Sequence, residues 1–320
     1  MISVAARPDL LEASPEAAAE ALAEHFSARR QPAYRVRQVL AWLHEKLAFS
    51  FDEMTDLPKA EREGLARAFS LTAPATAKLS RSTDGTTKHL WRLADGELIE
   101  SVLIPTSQRL TLCISSQAGC AMACTFCATG WMGYQRQLTS GEIVAQYRGA
   151  QSWAIENGYG PITNIVFMGM GEPLMNAKAV FPALALLNRA YGVGARRITV
   201  STVGIVPGIL AMAEMPEQYR LAVSLHAPNH ELRQQLIPVE KKYPLPRLIE
   251  SLRAFDEAGG KRITFEYVMI DGMNDSLAEA DELASLVGEF TAFVNLIPFN
   301  PIPANDWRPT PPARLAEFTE

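Results

Sequence analysis

The chain has 320 residues, 48% of them hydrophobic, with 30 Lys and Arg against 35 Asp and Glu and a formal net charge of −5. That is enough apolar content for about two domains, or one large domain with an appendage. It excludes a protein basic all over, though not one that grips nucleic acid with a local basic face. No run of ~18 apolar residues is present to cross a membrane, and MISVAARPDLLEASPEAAAEALAEHF lacks the compact apolar core of a signal peptide. The expected compartment is the cytoplasm, where clustered cysteines are more often metal ligands or catalysts than disulfides.

Residues 1–75 read as a small helical accessory domain. Ser14-Pro15 is a helix start, and good helix formers follow it. RVRQVLAWLHEKLA sets Val36, Val39, Leu40, Leu43 and Leu47 at helical spacing. The stretch 26–46 carries Arg29, Arg30, Arg35, Arg37 and Lys46 against one acid, Glu45. It is either a solvated helix face or a patch that holds phosphate backbone. Residues 76–110 alternate in DGTTKHLWRLADGELIESVLIP, with turns at Asp84-Gly85 and Asp95-Gly96. They are expected to form a hairpin linker.

From 111 to 320, short apolar strands alternate with helical stretches such as SGEIVAQYRGAQSWAI and LPRLIESLRAFDEAG. The candidate strands are TLCIS (111–115), NIVFMG (164–169), RITVST (197–202), LAVSLHA (221–227), RITFEYVMI (262–270) and FVNLIPFN (293–300). Strand–helix alternation implies parallel βαβ units, and six strands are too few for a closed eight-stranded barrel. The expected fold is α/β, an open six-stranded partial barrel. Polar residues gather at the ends of these strands, where parallel α/β folds place their sites. Cys120, Cys124 and Cys127 follow the first strand. Gly169–Glu172 end the second and Ser201 the third. Ser224 and His226 end the fourth, and Asn300 the sixth.

GCAMACTFCATG, residues 119–130, holds three of the four cysteines at spacing C-x3-C-x2-C. Structural zinc wants four ligands. Cys113 could complete C-x6-C-x3-C-x2-C, but it lies inside an apolar strand, and zinc sites usually pair two C-x2-C units on separate turns. A 4Fe–4S cluster with one open iron needs three thiolates and leaves a position for a chelating ligand. Phe126 stands beside the last cysteine as a shield from water.

This spacing, with an aromatic before the final cysteine, is the signature of radical-SAM enzymes. LCISSQAGCAMACTFCATG, NIVFMGMGEPLMN, RITVSTVGIVPGI, AVSLHAPN, VEKKYPL, EYVMIDGMND and NLIPFNP resemble the bacterial adenine-C2 RNA methyltransferases, the RlmN/Cfr family. YRVRQVLAWLHEK and FDEMTDLPK resemble that family's accessory domain. The resemblance runs from about residue 32 to the end.

The resemblance implies a 4Fe–4S cluster on Cys120, Cys124 and Cys127 and S-adenosylmethionine (SAM) chelated at the open iron. Gly171 and Glu172 would contact the methionine end of SAM. Ser201, Ser224, Leu225, His226 and Asn300 match the remaining SAM contacts. Reductive cleavage of SAM would give a 5′-deoxyadenosyl radical. A C-terminal cysteine would carry the methyl group, and Cys113 would match a second catalytic cysteine that helps remove the C2 proton and forms a disulfide releasing the product. Glu100, in GELIESVLIP, matches a position assigned to proton acceptance. Implied partners are 23S rRNA at the peptidyl-transferase centre, an anticodon-loop tRNA adenosine, and an external flavodoxin-type electron donor. No cysteine follows Cys127. The sequence stops at LAEFTE, inside an expected helix without a C-cap signal, so a fragment of a longer protein is the expectation. Two other readings stay open: a radical-SAM enzyme of another class, including C8 methylation, and a zinc-stabilised RNA-binding module.

Overall fold

The computed structural model describes residues 7–259 and 262–320. The opening MISVAA, part of the stretch read for a signal peptide, lies outside them, as do Gly260 and Lys261. In chain order the elements are α1 (Pro15–Ala28), α2 (Tyr34–His44), α3 (Lys59–Ala68), β1 (Ala75–Arg81), β2 (Thr87–Arg92), β3 (Leu98–Pro105), β4 (Leu110–Cys113), β5 (Gln117–Gly119), α4 (Ala128–Trp131), β6 (Tyr134–Gln137) and α5 (Ser140–Glu156). They continue with β7 (Asn164–Phe167), α6 (Ala177–Arg189), β8 (Ile198–Thr202), α7 (Val206–Ala213), β9 (Arg220–Ser224), α8 (His230–Leu236), α9 (Leu245–Glu257), β10 (Ile263–Met269), α10 (Leu277–Val287), β11 (Ala292–Pro298) and α11 (Pro312–Thr319). Two compact units emerge. The first takes the chain up to Ile114 with Leu138–Asn164 and Lys178–Gly194, and the second takes Ser115–Gln137, Ile165–Ala177 and Ala195–Glu320.

In the first unit, α1 starts where the Ser14 side chain accepts from the Ala17 N–H, with Pro15 at the first helical position. Val39 and Leu43 of α2 pack with Leu22, Phe26, Met54 and Leu65 in one apolar cluster. The helix ends sooner than its apolar spacing suggests. Leu47 takes a left-handed φ of 58° beyond it, while the Lys46 N–H folds back onto the Ala41 carbonyl. Both expected turns are present: β1–β2 and β2–β3 pair antiparallel, and Gly85 and Gly96 hold φ of 87° and 94° in the connections. The expected strand at 111–115 is β4, which pairs antiparallel with β3. Helix α5 begins in a capping box between Thr139 and Glu142.

The second unit is the βα array. Strands β7, β8, β9, β10 and β11 pair in parallel, each with the next in that order. Ile165, Val200, Leu221, Val223 and Phe265 are fully buried, as expected for strands of a parallel sheet. The chain therefore has an α/β fold with a largely parallel sheet, as the strand–helix alternation implies. Among the described residues no helix is long and apolar enough to cross a membrane.

Candidate active site

A cavity of about 590 Å³ opens at the carboxyl ends of the parallel strands. Cys120, Cys124, Cys127, Gly171, Glu172, Ser201, Ser224, His226 and Asn300 all line it. Leu225 does not. It is fully buried, and its N–H donates to the Glu266 carbonyl at 3.0 Å. Glu100 and Cys113 are not among the lining residues and lie in the first unit. Glu100, on β3, pairs with Lys88 at 2.9 Å, both partly exposed. Cys113 is half-buried opposite Val102.

The cysteine loop is anchored at both ends. The Cys120 N–H donates to the Gly133 carbonyl at 2.8 Å, and Gly119 sits so close to that carbonyl that a Cβ would stand 2.0 Å from its oxygen. The Cys127 N–H donates to the Cys124 carbonyl at 3.2 Å, and the Thr125 N–H to the Leu236 carbonyl at 3.1 Å. Cys124 is buried with Val268, Ile270 and Phe299, and Met122 and Phe126 pack against that cluster. Phe126 meets the His226 ring edge-on, 4.5 Å between centroids. Burial pushes the Cys120 and Cys124 thiols above their ordinary range, and the neighbouring cysteines push them further. Thiolates here need a bound positive charge.

No disulfide joins the described cysteines. Among the described residues no three His, Cys, Asp or Glu side chains converge closely enough to hold a single metal ion. A tetrahedral zinc site would bring its sulfurs within about 3.8 Å of one another, given a Zn–S bond near 2.3 Å. In a four-iron cluster each thiolate takes a different iron, so the sulfurs stand farther apart. Three soft donors on one loop, facing one apolar-walled cavity, fit such a cluster.

Glu172 sits beside them. Gly171 takes φ of 98° and leaves no room for a side chain: a Cβ would lie 2.4 Å from the Gln117 Cβ. The Glu172 N–H donates to Gln117 Oε1 at 2.8 Å. Its Oε1 accepts from the Leu174 N–H at 2.9 Å and its Oε2 from the Val203 N–H at 2.8 Å. Burial raises its pKa to about 7, against the lowering effect of these bonds and of the Thr202 hydroxyl. The carboxyl is rigidly aimed and poised to ionise when a cation arrives.

His226 takes a left-handed φ of 58°. Its Nδ1 accepts from the Val268 N–H at 2.9 Å, and its carbonyl accepts from Asn274 Nδ2 at 2.8 Å. Burial holds its pKa down at about 3, with Arg233 adding to the effect. The ring is therefore neutral, with the proton on Nε2.

Several supporting residues were not singled out from the sequence. Buried Arg233 donates to Glu240, to the Val203 carbonyl at 2.6 Å and to the Ser224 carbonyl at 3.3 Å. It thus ties two strand ends that line the cavity. Its partner Glu240 lies seven residues away across a helix end. Glu266, inside β10, lines the cavity and accepts from Asn295 Nδ2 at 2.7 Å. A charged residue within the apolar strand ITFEYVM was the available clue to it.

Residues 114–284 match the radical SAM superfamily, and residues 16–71 match the ribosomal RNA large subunit methyltransferase N-terminal domain. The chain is similar to a probable dual-specificity RNA methyltransferase RlmN of Gemmatimonas aurantiaca, 55% identical over 296 residues, covering 92% of this chain and 80% of that protein. A dual-specificity RNA methyltransferase RlmN of Alkalilimnicola ehrlichii is 45% identical over 302 residues, 93% of this chain and 83% of that protein. Among solved structures, a radical SAM methyltransferase from Sphaerobacter thermophilus superposes with a TM-score of 0.91 at 45% identity, covering 97% of this chain and 91% of that one.

Proposed function

Because the chain belongs to the radical SAM superfamily and, within it, to the dual-specificity RNA methyltransferases of the RlmN family, we propose that it methylates C2 of adenosine in 23S rRNA at the peptidyl-transferase centre and in the tRNA anticodon loop. One observation carries this reading. Three cysteines of one loop and polar residues from successive strand ends line a single cavity. A 4Fe–4S cluster with SAM, when bound, supplies the one-electron cleavage that an electron-poor adenine carbon requires.

The chain's residues prepare that chemistry. Cys120, Cys124 and Cys127 hold the cluster, while Met122 and Phe126 screen it from water. Glu172 accepts from the ammonium group of SAM's methionine end, with Gly171 allowing the close approach. His226 presents a fixed Nε2–H donor. Ser201, Ser224 and Asn300 add polar contacts along the strand ends. Leu225 acts through its buried backbone, which fixes the turn carrying His226. Cys113 and Glu100 are assigned to removal and acceptance of the C2 proton by the family resemblance alone, and neither lines this cavity. A reduced flavodoxin-type donor supplies the electron, and the reaction runs in the cytoplasm. A stacked adenine has to be extruded to reach the cavity.

The test compares cells carrying the natural gene with cells carrying Cys124→Ala, by mass spectrometry of digested 23S rRNA and tRNA. Loss of 2-methyladenosine in the variant supports the proposal. Equal 2-methyladenosine in both, or loss of 8-methyladenosine in its place, overturns it.

A further inference from the structure

The chemistry proposed above leaves one buried acid of the cavity unused, Glu266 in the middle of β10. Glu266 and Val268 lie two residues apart on that strand, and both line the cavity. Tyr267, between them, is not among the lining residues, and its hydroxyl donates to the Asn274 carbonyl at 2.8 Å. Glu266 is only 7% exposed. Its Oε2 accepts at 2.7 Å from Nδ2 of Asn295, the residue opposite it on β11. Among the described residues nothing donates to its Oε1. Burial raises the pKa of this carboxyl, against the lowering effect of the Asn295 bond. A buried carboxylate oxygen without a donor is costly, and a ligand that brings one recovers that cost.

On its other side Glu266 is in register with Ser224 of β9, which also lines the cavity. A hydroxyl and a carboxylate therefore stand on neighbouring strands, about 4.8 Å apart. Glu172, the acid that receives a cation, follows β7, three strands along the sheet from β10. A ligand with its ammonium group at Glu172 meets Glu266 with a different part of itself. Val268, Ile297 and Pro298 add an apolar wall suited to the face of a purine. Between the cationic end and the purine of SAM lies a ribose, which carries two hydroxyl donors on adjacent carbons.

We infer that Glu266 Oε1 and the Ser224 hydroxyl hold the two ribose hydroxyls of SAM, an assignment that rests on the radical-SAM reading of the cavity. The RNA substrate does not offer the same group. An internal nucleotide has a free 2′ hydroxyl only, because its 3′ oxygen is esterified, so a free diol belongs to the cofactor.

The experiment loads the full chain with its cluster under anaerobic conditions and measures binding by calorimetry, without turnover. The probes are S-adenosylhomocysteine and its 2′-deoxy and 3′-deoxy analogues. They are titrated into wild type, Glu266→Ala and Glu266→Gln, with iron content checked in each. Wild type should bind at least one deoxy analogue about tenfold or more weakly than the riboside, as expected for a lost hydrogen bond to a charged group. Glu266→Ala should weaken the riboside by a similar factor and leave that analogue nearly unchanged, so that the discrimination falls to near one. Glu266→Gln keeps the size of the side chain and should show a reduced discrimination. It decides the matter if the alanine variant loses its iron. A purely structural role would weaken all three ligands alike. Discrimination kept at the wild-type ratio in the variants therefore overturns the inference, as does a wild type that binds riboside and both analogues equally. Either result leaves the radical-SAM reading standing. A cluster-loaded wild type that binds no S-adenosylhomocysteine overturns both.

Discussion

The Nδ1 of His226 accepts the Val268 N–H at 2.9 Å, and this bond decides the chemistry of the ring. A protonated imidazole has no acceptor nitrogen, so the bond and the buried position both favour the neutral form. The turn carrying the ring is held by Asn274, which donates to both the His226 and Val268 carbonyls.

This predicts acid sensitivity with a defined sign. The folded pKa, about 3, lies below the ordinary 6.5. Between those values the unfolded chain binds more protons than the folded one, so stability falls as pH drops from 6.5 toward 3. The slope from this residue reaches at most about 1.4 kcal/mol per pH unit. His226→Gln should flatten the fall, measured by urea unfolding at stepped pH. The same slope in both proteins would show that His226 does not carry it.

Glu172 predicts a pH dependence of binding in a higher range. Its pKa is raised to about 7, so it is partly protonated at neutral pH in the absence of ligand. A cationic ammonium selects the carboxylate, so SAM affinity should rise as pH increases through 7. Calorimetry between pH 6 and 8 should show that rise in wild type and a weak, flatter profile in Glu172→Gln. An equally steep profile in the variant would remove Glu172 from the SAM contact.

Gly171→Ala should be more damaging than its size suggests. The added Cβ meets the Gln117 side chain at 2.4 Å, at a φ of 98° that alanine rarely adopts. Strain of about 1–3 kcal/mol is expected at such a position. Because Gln117 Oε1 also holds the Glu172 N–H, SAM affinity should fall along with the thermal midpoint. A variant with wild-type SAM affinity would show that the Gln117–Glu172 link is dispensable.

The basic stretch 26–46 divides on inspection. Arg29 is bound to Glu61 through two bonds of 2.9 and 3.0 Å, and Arg35 to Gln38 at 2.9 Å. Lys46 lies 3.6 Å from the Trp42 ring centroid. Arg37 is exposed on α2. Arg37→Ala should therefore lower the salt slope of RNA binding by about one unit, without affecting SAM binding. Arg29→Ala should instead lower the melting temperature. An unaltered RNA salt slope in Arg37→Ala would leave α2 as a solvated face.

Much of this was legible in the sequence because local rules agreed with the final fold. The Asp-Gly turns fixed the hairpins, the helical stretch SGEIVAQYRGAQSWAI became α5, and apolar runs marked the parallel strands. Strand-end polar residues fell into one cavity because parallel strands share a carboxyl end. Leu225, between Ser224 and His226, does not line the cavity that they face: it is fully buried, and its N–H is taken by the Glu266 carbonyl. Arg233 with Glu240, and Gln117 with Glu172, were hidden because such pairs are made by tertiary packing, which no spacing rule encodes.

The most direct test of the three-thiol centre is anaerobic reconstitution with iron and sulfide, followed by reduction in the presence of SAM. Wild type should hold about four irons and four sulfides per chain and release 5′-deoxyadenosine, and Cys124→Ala should do neither. A wild-type protein that takes one zinc and no cluster, or a Cys124→Ala variant with full iron content and undiminished SAM cleavage, would contradict the account.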